Sequence, residues 1–95
     1  MVDVQTATKR VKIQNLKGLH ARATATFVKL ADTFQSEIMV SKIGGTPMSG
    51  KSIMGLLMLA APLGDTLKIT ATGPDAEKAV KALADLVRNK FGEDA

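Results

Sequence analysis

Gly44-Gly45 lies between two short runs of strand-forming residues, Glu37–Ile43 and Thr46–Ser49, and leaves the chain few options there. Paired glycines accept the positive φ angles of a tight turn between right-twisted strands, so the two runs return antiparallel. Pro47 offers no N–H to a ladder, which places the returning strand at a sheet edge. Strand alternation recurs on either side. Over Thr8–Gln14, Val11 and Ile13 oppose Arg10, Lys12 and Gln14; over Asp65–Thr72, Leu67, Ile69 and Ala71 oppose Thr66, Lys68, Thr70 and Thr72. Ala23, Phe27, Leu30 and Phe34 recur at helical spacing, predicting a helix that runs to about Phe34, with Thr24, Lys29, Asp32 and Thr33 on its polar face. A short helix is expected from the N-cap Ser52 to about Ala61, closed before Pro62. A third opens at Pro74-Asp75, carries Ala76, Val80, Leu83, Val87 and Phe91, and stops at Gly92. Met1–Ala7 reads as a loose leader. The order β-α-β-β-α-β-α, in a single domain over residues 1–95, predicts an α+β fold: a four-stranded antiparallel sheet with three helices on one face.

The chain has no cysteine, which excludes a disulfide framework and a thiolate metal site and suits a reducing cytoplasm. Its start lacks the basic and apolar regions of a signal peptide, and no apolar stretch approaches the ~20 residues of a spanning helix. No metal or cofactor is expected. Thirteen Lys and Arg against nine Asp and Glu give a net charge of +4. The basic residues are scattered and the only aromatics are three Phe at apolar-periodic positions, so stacking platforms for nucleic acid are missing. The charge is read instead as complementary to an acidic protein surface.

Gly45-Thr46-Pro47-Met48-Ser49-Gly50-Lys51-Ser52 satisfies G-x-x-x-x-G-K-[ST], the phosphate-cradling loop of nucleotide hydrolases. That loop joins a buried parallel strand to a long helix, beside a strand bearing the Mg²⁺ carboxylate. Here the strand turns back on itself and the next helix is short. The match is therefore read as accidental.

His20, the only histidine, is the one side chain present whose ordinary pKa, ~6.5, suits proton exchange or nucleophilic attack at neutral pH. It follows Gly18 and precedes the apolar repeat of the first helix, so it falls in a helix cap or first turn. Unpaired N–H groups and the positive dipole end favour an anion there. Arg22, two residues on, adds a cation with forked donors. Imidazole, cation and helix terminus together form a place to hold a phosphoryl group on nitrogen. A histidine that merely caps the helix is the simpler alternative. In the short second helix, Ile53-Met54-Gly55-Leu56-Leu57-Met58-Leu59 is apolar nearly all round. Burying Leu56, Leu59 and Ala60 leaves Ile53, Met54 and Leu57 as an exposed docking patch, unless the helix is covered on both sides.

Gly18-Leu19-His20-Ala21-Arg22, Phe27-Val28-Lys29 and Lys51-Ser52-Ile53-Met54-Gly55 resemble, in order and spacing, the HPr phosphocarrier family of the bacterial phosphotransferase system. The similarity runs from about Val11 to Val87. It implies the open-faced β-sandwich of that family and a monomeric phosphocarrier that is a protein substrate rather than an enzyme. His20 would accept phosphate, at Nδ1 in the family, from enzyme I charged by phosphoenolpyruvate, and pass it to EIIA-type acceptors. Arg22 would neutralise the phosphate and the N–H groups of Ala21 and Ala23 would receive its oxygens. Ala21, Ala25, Ile53, Met54 and Leu57 would meet the partners. Ser52 matches the regulatory serine that HPr kinase/phosphorylase modifies in some bacteria. Many relatives carry proline where this chain has Ala23, which implies a looser lead-in to the helix and one more backbone donor. A family regulator that has lost the carrier histidine is disfavoured by the intact His20-Ala21-Arg22. The resemblance covers both the sugar-uptake and the nitrogen-regulatory branches.

Overall fold

A computed structural model of the chain describes residues 4–95. Its elements are β1 (Gln5–Lys12), α1 (Ala21–Ala31), β2 (Glu37–Lys42), β3 (Met48–Ser49), α2 (Ile53–Leu59), β4 (Thr66–Gly73) and α3 (Ala76–Arg88), followed by a 3₁₀ turn at Lys90–Gly92. The strands form one sheet in the order β1-β4-β2-β3, every neighbouring pair antiparallel. The hairpin expected around Gly44-Gly45 is present, with Gly44 at φ +78° and Met39 and Val40 paired to Ser49 and Met48. β3 is an edge strand of only two residues behind Pro47.

Alternation decides which sheet face is covered. Leu67, Ile69 and Ala71 of β4 are buried with Val11, Ile38 and Val40 from the neighbouring strands. Against them pack Ala23 and Phe27 of α1, Leu56 and Leu59 of α2, and Ala76, Val80, Leu83 and Val87 of α3. Each fully buried Leu, Ile, Val or Phe contributes about 1.5–3 kcal/mol by leaving water.

Several boundaries differ from expectation. The strand begins at Gln5 rather than Thr8, so residues 5–7 of the expected leader pair with Gly73, Thr72 and Ala71 of β4; residues 1–3 lie outside the described part. α1 stops at Ala31, where the backbone bonds tighten to three residues (Thr33 N–H to the Leu30 carbonyl at 3.0 Å, Phe34 N–H to the Ala31 carbonyl at 3.1 Å) and the Thr33 hydroxyl also donates to Leu30 at 2.7 Å; Phe34 packs on the core from outside the helix. Thr24 is buried rather than on the polar face, its hydroxyl turned toward the Leu19 carbonyl. α2 ends at Leu59, and Ala60 is an exposed left-handed cap at φ +50° instead of a buried residue. α3 ends at Arg88, so Phe91 is outside the helix although buried.

Asp75 ties α3 to the start of β2. Its carboxylate accepts from the Gln35 and Ser36 N–H groups, both at 2.9 Å, and from the Ser36 hydroxyl at 2.5 Å. The Ser36 hydroxyl and the Gln35 amide bond the charged form and hold the carboxyl below its ordinary value of 3.8. A carboxyl depressed in the folded state contributes stability above that value and loses it as pH falls through the folded pKa. Asp75→Asn is expected to lower the urea midpoint at pH 7, with the gap to the native protein closing as the pH drops below 3.8.

Candidate functional site

The segment between β1 and α1 is shaped by two side-chain facts. Asn15 is fully buried, and its Nδ2 donates to the Gly18 carbonyl at 2.8 Å while the Gly18 N–H returns to the Asn15 carbonyl at 3.1 Å. Gly18 has φ +63°, and a Cβ there would lie 2.5 Å from the Ala61 oxygen and 2.8 Å from Pro62 Cα. Only glycine allows both the left-handed turn and this approach. Leu19, buried, then donates its N–H to the same Ala61 carbonyl at 2.9 Å. The loop is thus strapped to the chain leaving α2.

His20 follows as the N-cap of α1, with extended backbone at φ −83°, ψ −178°. Its carbonyl accepts the first helical bond, from Thr24 N–H at 2.9 Å, and its Nδ1 accepts from Arg22 N–H at 3.3 Å. The imidazole is 26% exposed. Ala21, Arg22 and Ala25 are exposed, and no ion pair among the described residues involves Arg22. Ala23 is buried in the first turn, so of this residue only the backbone N–H suits an anion.

Glu93 is a site residue that sequence reasoning did not find. Lys90, Phe91 and Gly92 take φ of +61°, +55° and +80°, and this left-handed run folds the chain end back over the loop. The buried Phe91 ring anchors the reversal. Glu93 Oε2 then lies 2.5 Å from His20 Nε2, and Oε1 accepts from Asn15 Nδ2 at 3.0 Å. Burial raises the Glu93 carboxyl, but the Asn15 and His20 hydrogen bonds and the charges of His20 and Lys17 outweigh it, and the net shift is downward. The one local signal was Phe91-Gly92-Glu93, an apolar anchor, a turn residue and an acid. Its partner is 73 positions away and carries no mark of the pairing. His20 and Glu93 border an open cleft of about 390 Å³, with Leu16, Lys17 and Arg22 along its rim.

Ser52 caps α2 as expected, its hydroxyl accepting from Gly55 N–H at 3.0 Å. Leu56 and Leu59 are buried while Ile53, Met54 and Leu57 are exposed, Met54 at 70%. Met58, at 67%, extends this apolar surface beyond the three residues expected. The G-x-x-x-x-G-K-[ST] segment, Gly45–Ser52, runs from the β2–β3 turn through β3 to the N-cap of α2, in a sheet whose pairings are all antiparallel, and so lacks the parallel strand of a nucleotide loop.

Compared with known proteins, residues 7–89 match the family described as PTS HPr component phosphorylation site. The chain belongs to the PTS HPr family. It is 46% identical over 81 residues to the phosphocarrier protein HPr of Cupriavidus necator, covering 85% of this chain and 90% of that one. The structure of an HPr from Thermoanaerobacter tengcongensis superposes with a TM-score of 0.87 at 43% identity, covering 94% and 99% of the two chains. HPr from Bacillus anthracis gives 0.82 at 41% identity, covering 86% and 96%. HPr proteins are phosphocarriers that relay a phosphoryl group on histidine, not enzymes, and the open-faced sheet with helices on one face is the HPr topology.

Gly18→Ala is expected to destabilise the fold by about 1–3 kcal/mol, since alanine is strained at this φ and collides with the Ala61 carbonyl. Urea unfolding checks the magnitude, and the Leu19 amide should lose hydrogen-exchange protection.

Proposed function

We propose that His20 is the phosphoryl-accepting residue of this HPr, taking phosphate from phosphorylated enzyme I and passing it to EIIA-type acceptors in the cytoplasm. The observation that carries the reading is the seat of Nδ1. The Arg22 N–H is a donor only and lies 3.3 Å from it, so Nδ1 holds a lone pair at the amino end of α1, on a residue that lines an open cleft. A phosphoryl group on Nδ1 would replace that long hydrogen bond and meet the first-turn N–H groups of Ala21 and Ala23 beside that of Arg22, with the Arg22 guanidinium to neutralise its charge. An exposed helix terminus stabilises an anion by about 0.3–1 kcal/mol. That modest hold fits a relay, which must give its cargo up.

Ile53, Met54, Leu57 and Met58, with the exposed Ala21 and Ala25, supply the docking surface in this reading. Methionine adapts to differently shaped partners, which suits a protein that meets both donors and acceptors. Ser52 borders this surface and is the proposed site of control by an HPr kinase/phosphorylase. Its phosphate would bring about −1.5 to −2 charges against the apolar patch and oppose enzyme I docking through desolvation and repulsion.

The decisive experiment is incubation with enzyme I and labelled phosphoenolpyruvate, followed by acid treatment, which releases phosphate from nitrogen. The native protein should carry acid-labile label and His20→Ala none, with its circular dichroism unchanged; undiminished labelling of that variant overturns the assignment. Ser52→Asp should raise the KM of enzyme I for the carrier by about tenfold, and an unchanged KM would remove Ser52 from the control of docking.

A further inference from the structure

We infer that Glu93, clamped by Asn15, is a positioning residue that decides which nitrogen of His20 is free to take the phosphoryl group; the inference rests on the carrier reading above. The imidazole lies between two partners of fixed polarity. A carboxylate only accepts, so Nε2, at 2.5 Å from Glu93 Oε2, carries the ring proton. The Arg22 N–H only donates, so Nδ1 carries the lone pair. Neutral imidazole has one proton to place, and the two contacts agree on where it goes.

The clamp makes the arrangement one-way. Asn15 Nδ2 spends its two N–H groups on the Gly18 carbonyl at 2.8 Å and on Glu93 Oε1 at 3.0 Å. The fully buried Asn15 therefore needs an acceptor at the Oε1 position. The rest of the tail is built to deliver one. Lys90 and Phe91 hold left-handed φ values that non-glycine residues rarely adopt, and the buried Phe91 side chain keeps them there. Two of the three positive-φ non-glycine residues among the described residues fall immediately before Gly92-Glu93, which points to a segment shaped for the Glu93 contact. The depressed Glu93 carboxyl accords with a charged acceptor at neutral pH.

The transfer step then balances without moving a proton. The bond between phosphorus and the enzyme I donor atom breaks and its electron pair stays with the donor. Nδ1 gives its lone pair to phosphorus. The proton on Nε2 remains, so the ring becomes an imidazolium bearing the phosphoryl group, and its positive charge faces the Glu93 carboxylate. Onward transfer to the acceptor is the same step reversed, and the neutral ring returns with its proton still on Nε2.

The clamp yields a test that a merely supporting tail would not pass. In Glu93→Gln the carboxamide must offer its oxygen to Asn15, which turns its NH₂ toward His20 Nε2. That contact draws the ring proton onto Nδ1 and blocks the nucleophile. Glu93→Ala only releases the ring. ¹⁵N NMR of the imidazole at about pH 9, where an ordinary histidine is neutral, should show Nε2 protonated in the native protein and Nδ1 protonated in Glu93→Gln. Phosphorylation by enzyme I should fall in kcat by about tenfold or more for Glu93→Gln and by less for Glu93→Ala, with KM within about twofold in both. A native tautomer in Glu93→Gln, or a loss in Glu93→Ala as large as in Glu93→Gln, overturns the proposal, as does an inverted tautomer with an unchanged rate. Absence of label on the native protein defeats the carrier reading itself. Labelling of the native protein and Glu93→Gln at equal rates defeats only the role given to Glu93.

Discussion

The approach of Gly18 to the Ala61–Pro62 backbone, too near for a Cβ, joins the loop that carries His20 to the end of α2. The Leu19–Ala61 hydrogen bond lies in the same contact. Through it the loop that bears the imidazole is held to the end of the helix that bears the exposed apolar face, although Gly18 and Ala61 are 43 positions apart. In the proposed relay, docking and chemistry would then share one reference frame. In that relay, a partner that settled on Met54 and Leu57 would find a loop whose ordering cost had been met in folding.

The electrostatics of the unit are moderate by construction. His20 is neither buried nor free; it has one face in a cleft and two hydrogen-bonded nitrogens. A deeper site with more donors would trap a phosphate, and a fully solvated ring would not fix its nitrogens. The carboxylate that orders the ring stands on the Nε2 side, away from the nitrogen proposed to receive the anion, so it steadies the ring without repelling the incoming group.

Much of the fold was legible because the apolar period changes cleanly along the chain. Leu67, Ile69 and Ala71 at period two, and Ala76, Val80, Leu83 and Val87 at helical spacing, all reach the core they predict. The errors have local causes. β1 begins early because Gln5 and Thr6 pair through backbone alone, and Lys9 interrupts the apolar face that would have revealed them. Thr24 looked polar and is buried, since a hydroxyl in a helix can turn to a backbone carbonyl. Phe91 matched the helical repeat of α3 and still lies beyond it, because the backbone reverses at Lys90. At the candidate site, His20 and Arg22 were singled out by residue type and spacing, and Ser52 as the cap it is, while a control role for Ser52 came only from the family resemblance. Glu93 and Asn15 were not, because their meeting depends on a chain reversal that periodicity does not encode.

The sheet has two unequal borders, and each is guarded differently. β1 offers eight residues but carries Lys9, Arg10 and Lys12 on them, so a second strand arriving there would bring cations together. β3 offers two residues behind a proline. Neither margin is a template for lateral growth. A shuttle that must diffuse between donors and acceptors, while showing methionine and leucine to the solvent, is thereby kept from adding to itself strand by strand.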